Sequence, residues 1–137
     1  MVAYHFETTF SLDNQTALTD WIQFFITEKG NELGELNYIF CDDEYLLALN
    51  KKYLQHSTFT DIISFDYTKG IVVSGDIYIS VERVKENAEA FNVSFTNELH
   101  RVMIHGVLHY LGFKDKTNDE KELMRHEENQ ALLLLKC

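Results

Sequence analysis

Hydrophobic positions recur along the chain with two spacings, every second residue in some segments and every third or fourth in others. The first spacing predicts strands at 2–10, 36–41, 60–67 and 77–79, with a further extended piece at 71–73. The second predicts helices at 14–29, 42–55, 80–91, 95–112 and 117–131. The elements follow the order β, α, β, α, β, β, α, α, α. This order indicates an α+β fold in which a small mixed sheet of about four strands packs against helices.

The spacing also predicts which helix positions face the core. In the helix at 80–91 the inward positions are Val81, Val84, Ala88 and Phe91. The last helix begins at Thr117, which has the capping-box spacing to Glu120. Helical spacing in this last segment is continued by Leu123, Met124, Glu127 and Ala131.

The helix at 95–112 differs from the others because apolar residues cover more than half of its circumference, as expected for a buried helix. Its polar residues are not scattered. Glu98, Arg101, His105 and His109 fall within one arc of about 80°. Burying polar groups costs free energy unless they are paired or bound to a ligand. The arc therefore predicts a ligand, and a metal ion is one that suits it.

His105 and His109 can hold one ion from the same helix face, because residues four apart lie about 40° apart and one turn along. Asp115 is the candidate third ligand. On a continued helix it would lie roughly 9 Å further along the axis, so the chain must bend. Gly112 can provide the bend, since glycine readily adopts the left-handed conformation at a helix C-terminus. His126 is the alternative third ligand.

Three protein ligands with an open fourth position are typical of catalytic zinc. The helical zinc-peptidase motif has a glutamate after its first histidine, but here that position is Gly106, which indicates close packing instead. Zinc can also promote phosphodiester hydrolysis, for which Arg101 is our candidate catalytic cation. A salt bridge from Arg101 to Glu98 is the purely structural alternative.

Composition sets further limits. The 137 residues, 45% hydrophobic and 13% aromatic, suffice for a single domain spanning 1–137. A net charge of −10 argues against a surface built for nucleic acid. Cys41 and Cys137 lie in no CxxC motif, so we expect reduced thiols and a cytoplasmic location. The first residues do not have the pattern of a signal peptide, and no apolar run reaches the length of a membrane span.

Four blocks of sequence also carry a family resemblance. They are Leu49-Asn50-x-x-Tyr53, Thr60-Asp61-Ile-Ile-Ser64-Phe65, Gly75-Asp76-Ile77-Tyr-Ile79-Ser80 and His105-Gly106-Val-Leu108-His109-Tyr-Leu-Gly112-Phe-Lys-Asp115. In this order they resemble the motifs of the YbeY family, the bacterial ribosomal RNA maturation factors, over about residues 36–128.

The resemblance implies an α+β fold, one zinc ion on the histidine helix and a single-strand-specific endoribonuclease. It further implies action in maturation of the small-subunit (16S) ribosomal RNA 3′ end and in ribosome quality control. The implied zinc ligands are His105, His109 and Asp115, the last standing where the family has a third histidine. Expected partners are single-stranded RNA and the small ribosomal subunit, with no DNA, no membrane and a monomeric chain.

One departure from the family concerns charge. Leu54 stands where the family has an arginine implicated in function. The candidate replacements are Lys51, Lys52, Arg101 and Lys114. Two other functions stay open at this point. The charge of −10 and Leu54 favour a zinc-containing ribosome-assembly factor without catalytic turnover, and a metallopeptidase-like hydrolase is disfavoured by Gly106.

Overall fold

The computed structural model describes residues 1–56 and 58–135. Within them, one sheet is formed by β1 (Val2–Phe6), β2 (Glu32–Cys41), β3 (Ile62–Asp66) and β4 (Val72–Ser80). The helices are α1 (Gln15–Glu28), α2 (Asp43–Leu54), α3 (Val81–Ala90), α4 (Phe95–Tyr110) and α5 (Asn118–Leu134). Their order along the chain is the predicted one, and the α+β class is confirmed.

The sheet is mixed, as predicted. Its strand order is β1-β2-β4-β3, with β1, β2 and β4 parallel and β3 antiparallel to β4. Parallel neighbours need a crossover connection, which α1 supplies between β1 and β2. The antiparallel pair β3 and β4 is joined by a short turn in which Gly70 has a φ of +59°. This arrangement places β3 at one edge of the sheet.

Strand β4 corrects one expectation. The sequence predicts separate extended pieces at 71–73 and 77–79, whereas the structure has one strand that runs through Ser74, Gly75 and Asp76. A side chain does not fit at Gly75, because a Cβ there would lie 2.5 Å from the carbonyl oxygen of Phe65 and 2.6 Å from the Tyr110 hydroxyl. Residues 74–76 are polar or glycine and do not alternate with hydrophobic residues. The hydrophobic pattern therefore predicted two short strands in place of one.

Side chains pack on both faces of the sheet. The larger core lies on the face covered by α1 and α4, with α5 packed against α4, and its fully buried members include Leu18, Tyr38, Ile77, Met103 and Leu108. A smaller cluster on the other face contains Cys41, Leu46 and Ile63. Helix α4 is buried along most of its length, which confirms the prediction made from the apolar residues around its circumference.

Cys41 is buried in the smaller cluster. Burial raises the pKa of the Cys41 thiol to about 12, so this thiol stays protonated at neutral pH. Cys137 lies outside the described residues. Within the described ranges, no helix has both the length and the apolar character that crossing a bilayer requires.

Candidate metal centre

The chain turns back after α4, as the sequence predicts. Gly112 has a φ of +100°, and its N–H donates to the carbonyl of His109 at 3.0 Å. The N–H of Phe113 donates to the carbonyl of Leu108, also at 3.0 Å. This pair of hydrogen bonds is characteristic of helices that end at a left-handed glycine. The turn directs the next residues back towards the side chains of α4.

Asp115 thereby reaches the two histidines. His105 Nε2 and His109 Nε2 lie 2.9 Å apart, and Asp115 Oδ2 lies 3.2 Å from the former and 3.5 Å from the latter. Together the three residues form a group that could hold a metal ion. Ligand atoms bound about 2.0–2.1 Å from a tetrahedral zinc are roughly 3.3 Å apart, so the three separations fit such an ion.

The outer nitrogens of both histidines face hydrogen-bond acceptors. His105 Nδ1 lies 2.7 Å from Glu128 Oε2, and His109 Nδ1 lies 3.1 Å from the carbonyl oxygen of Phe113. These acceptors favour the tautomers that carry the proton on Nδ1, which leaves a lone pair on each Nε2. Two lone pairs 2.9 Å apart repel each other unless a cation lies between them. The hydrogen-bonding pattern therefore fits a bound metal ion.

Glu128, on α5, connects this site to a second cation. Its Oε2 accepts from His105, and its Oε1 accepts from Arg101 Nη1 at 2.9 Å. Burial acts to raise the pKa of Glu128, but hydrogen bonds from His105 and Arg101 outweigh burial and lower it. For His105, burial acts to lower the pKa, and the hydrogen bond and charge of Glu128 raise it overall. Glu128 was not among the residues predicted for the site, although its spacing from Met124 and Ala131 places all three on the buried face of α5.

Arg101 was expected either to act on the substrate or to pair with Glu98. Its guanidinium instead bridges to α5, where Nη1 donates to Glu128 and Nη2 donates to Asn129 Oδ1, each at 2.9 Å. The expected partner Glu98 is therefore replaced by Glu128. Arg101 supports the acceptor of His105, and a direct action on substrate stays a prediction.

Gly106 packs α4 against the sheet, as its position in a buried helix predicts. A Cβ at this residue would lie 2.8 Å from Ile77 Cδ1 and 3.2 Å from Ile62 Cδ1. The position faces strands β3 and β4. The residue directly after His105 is Gly106 and not a glutamate, so the usual base of a helical zinc peptidase is missing.

The three candidate ligands open into a cavity of about 490 Å³ between α3, α4, α5 and the start of β3. This volume is within the range of small-molecule sites, roughly 300–1,000 Å³. Its charged lining consists of the carboxylates of Asp61, Glu98, Asp115 and Glu128 and the guanidinium groups of Arg101 and Arg125. Four carboxylates against two guanidinium groups leave a negative excess that a divalent cation would balance.

Two of these carboxylates have pKa values that their surroundings raise. Burial raises the pKa of Asp61, even though the nearby His105 acts to lower it, and Asn87 Nδ2 donates to Asp61 Oδ2 at 3.3 Å. Burial and the charge of Asp61 raise the pKa of Glu98. Asp61, which belongs to the second of the four sequence blocks, lies in the wall of the cavity. Clusters of perturbed carboxyl groups in a cleft are typical of functional sites.

Replacing Glu98 with glutamine should raise the free energy of unfolding of the metal-free protein at pH 7. The pKa of Glu98 is higher in the folded state than its ordinary value of 4.5, so ionisation disfavours the folded state. The gain should be present above the folded-state pKa and should vanish as the pH falls below 4.5. Urea denaturation at pH 7 and at pH 4 measures it.

Glu89→Gln is the matched control for this prediction, because Glu89 is exposed on α3 and the substitution removes the same charge. The control should leave the free energy of unfolding nearly unchanged. A loss of stability in Glu98→Gln at pH 7 would contradict the interpretation that Glu98 is an unfavourably buried charge.

Phe91 and Arg125 also line the cavity, and the sequence analysis selected neither for a functional role. Phe91 was expected to point into the core, but it follows the last residue of α3 and is 58% exposed. Both residues approach the site only through tertiary packing, so no local spacing identifies them. An exposed phenylalanine beside a polar cavity is a signal only once the fold is known.

The remaining predicted residues lie apart from the cluster. His126, the alternative third ligand, is exposed on α5, and Asp115 takes the position beside the two histidines. Leu54 is the exposed last residue of α2. Of the candidate replacements for the family arginine, Arg101 lines the cavity, whereas Lys51, Lys52 and Lys114 are not among its lining residues.

The sequence profile described as Endoribonuclease YbeY matches residues 4–136. The chain belongs to the YbeY family. Two relatives named Endoribonuclease YbeY come from Flavobacterium johnsoniae, at 55% identity, and Flavobacterium psychrophilum, at 51%, each covering 98% of this chain and 96% of the relative. A third, from Karelsulcia muelleri, is 43% identical and covers 99% of this chain and 96% of its own. The YbeY resemblance of the four sequence blocks is therefore confirmed.

A solved structure also resembles this YbeY chain. The solution structure of a Thermotoga maritima protein matches it with a TM-score of 0.69 and covers 98% of this chain and 89% of that chain. The two sequences are 20% identical, so this likeness concerns the fold alone.

Proposed function

We propose that this chain is a zinc-dependent endoribonuclease that cleaves single-stranded RNA. The observation that carries the proposal is the group formed by His105, His109 and Asp115, whose three separations fit a zinc ion and which opens into a polar cavity. The donor set of two imidazoles and one carboxylate suits zinc. The relatives' name supplies the class of reaction.

The side chains divide into holding and supporting roles. His105 and His109 would hold zinc through Nε2, and Asp115 would hold it through Oδ2. Glu128 and the Phe113 carbonyl keep the two imidazoles in the required orientation through their Nδ1 atoms. When bound, zinc supplies a Lewis acid and lowers the pKa of a coordinated water, which is the chemistry that phosphodiester hydrolysis requires.

Asp61 is the group that we assign to accept a proton from the attacking water. Asp61 lines the same cavity as the three candidate ligands, and burial raises its pKa, which makes its carboxylate a better proton acceptor. The hydrogen bond from Asn87 orients Asp61 Oδ2.

Phe91 supports a preference for single strands. Its exposed ring lies at the cavity wall, where a base that is not paired could stack on it. A base within a duplex is stacked and paired and is not available for this contact. As the natural substrate we assign the 3′ end of small-subunit ribosomal RNA. This is the substrate that the resemblance of the four sequence blocks implies.

Metal removal tests the function directly. A labelled single-stranded RNA should be cleaved by the purified protein, and the same RNA annealed to its complement should resist. Chelation should lower the cleavage rate by at least about 100-fold, and added zinc should restore it, because the metal provides the activation of water. Gel analysis of the products measures both effects.

Three results would contradict the proposal in different ways. Undiminished cleavage by the metal-free protein would remove zinc from the reaction. Cleavage of a peptide library but not of RNA would indicate a metallopeptidase. The third result is that the metal-free protein does not cut 3′-extended RNA itself and yet still supports its maturation in small ribosomal subunits. The chain would then be an assembly factor.

A further inference from the structure

An RNA phosphate that enters the cavity meets an acidic wall. Asp61, Glu98, Asp115 and Glu128 all line it, and the net charge of the whole chain is −10. Affinity of proteins for nucleic acid comes largely from cationic contacts to phosphate. Because the overall charge opposes binding, a cation at the site itself has to supply this contact in addition to the metal.

Arg101 is poorly placed to do so. Both terminal nitrogens donate to α5, at 2.9 Å to Glu128 and at 2.9 Å to Asn129, and its side chain is only 16% exposed. The two hydrogen bonds hold the guanidinium against α5, and a movement that turned it fully towards a phosphate would break them and leave the buried Glu128 with one cation fewer.

Arg125 has the opposite surroundings. Its side chain is 59% exposed, and its contact to Glu128 is 3.9 Å long, beyond hydrogen-bond distance. Arg125 lines the cavity of about 490 Å³ into which the candidate ligands open. It also lines an adjoining cavity of about 320 Å³, and His105 and Asp115 line both cavities. Arg125 therefore lies where the two cavities meet beside the candidate ligands, with guanidinium donors available.

Other cations of the described chain are engaged or lie elsewhere. Arg83 is paired with Asp43 and Glu86, and Lys29 is paired with Glu127. Lys121 lines the smaller cavity but is absent from the lining of the larger one.

We infer that Arg125 binds the RNA phosphate at the metal centre. The inference rests on the proposed function and names one of its substrate contacts. A guanidinium can donate two parallel hydrogen bonds to a phosphate, which fixes the position of the group as well as its charge. Arg125 is thus a substrate-binding residue, and Arg101 is a positioning residue that acts through Glu128.

The test measures binding of a labelled single-stranded RNA to the zinc-loaded protein before cleavage proceeds, and gel analysis confirms that the bound RNA is intact. Arg125→Ala should weaken binding roughly 10- to 100-fold, and the slope of log affinity against log salt should become shallower by about 0.7, the value for one phosphate contact to a single strand. Arg125→Lys should be intermediate, because it keeps the charge but loses the paired hydrogen bonds. Lys69→Ala is the matched control, since Lys69 is exposed in the turn between β3 and β4 and the charge change is the same.

The outcomes separate this inference from the proposed function. If Arg125→Ala matches Lys69→Ala in affinity and salt slope while the wild type binds and cleaves RNA, Arg125 is not the contact and the function stands. Loss of zinc from Arg125→Ala would also overturn the inference, because the effect would then pass through the metal ligands. If the wild type binds RNA but does not cleave it, the nuclease proposal is wrong. The affinity and salt slope of Arg125→Ala then still decide whether Arg125 contacts the phosphate. A wild type that neither binds nor cleaves overturns both.

Discussion

Replacing His109 with alanine should abolish RNA cleavage and lower the zinc content from about one ion per chain to a small fraction of that. His109 Nε2 is one of three converging donors, and its removal leaves two, fewer than the three protein ligands of catalytic zinc sites. We expect the cleavage rate to fall roughly 1,000-fold or more, since activation of water depends on the metal. Elemental analysis and single-turnover cleavage measure the two effects.

His126→Ala is the matched control, because it removes an exposed imidazole from α5 outside the cluster. It should keep both zinc and activity. Asp115→Ala should weaken zinc binding, and full retention of the ion in that variant would show that Asp115 is not the third ligand. If His109→Ala keeps both zinc and activity, the assignment of the metal site to His105, His109 and Asp115 is wrong.

Replacing Glu128 with glutamine should have the second largest effect, on both stability and metal affinity. The buried carboxylate accepts from Arg101 and from His105, and glutamine has one oxygen to serve both. Removing one partner of a buried ion pair typically costs about 3–5 kcal/mol. We expect a loss near the lower end in the free energy of unfolding of the metal-free protein, and a zinc affinity reduced roughly 10- to 100-fold.

Glu127→Gln provides the comparison for Glu128. Glu127 pairs with Lys29, whose side chain is 32% exposed, so the loss should be below about 1 kcal/mol. Urea denaturation without metal and zinc titration with a competing chelator measure the two quantities separately. Equal behaviour of the two variants would show that Glu128 does not hold His105 in place.

The parts of the site that were predicted from sequence are those that depend on local geometry. His105 and His109 share a helix face because of their spacing alone, and Gly112 marks the end of the helix through its backbone preference. The return of Asp115 follows from that turn. Apolar residues around α4 likewise predicted its burial without knowledge of its neighbours.

The parts that were missed depend on contacts between distant segments. Arg101 pairs with Glu128, 27 residues further along the chain, rather than with Glu98 one turn away. Arg125 was not among the cations considered as replacements at Leu54, because only the packing of α5 against α4 places it beside the ligands. Phe91 has the spacing of a core residue and yet is exposed, since the chain leaves α3 at that point.

Gly106 has a consequence for how the chemistry of this fold could change in evolution. A glutamate at this position would complete the helical zinc-peptidase motif in the sequence. In the structure its Cβ would lie 2.8 Å from Ile77 Cδ1 and 3.2 Å from Ile62 Cδ1, so a glutamate at this position would have to displace these side chains. A single substitution would therefore create the motif only at the cost of repacking the core. The close approach of α4 to the sheet at Gly106 opposes this change.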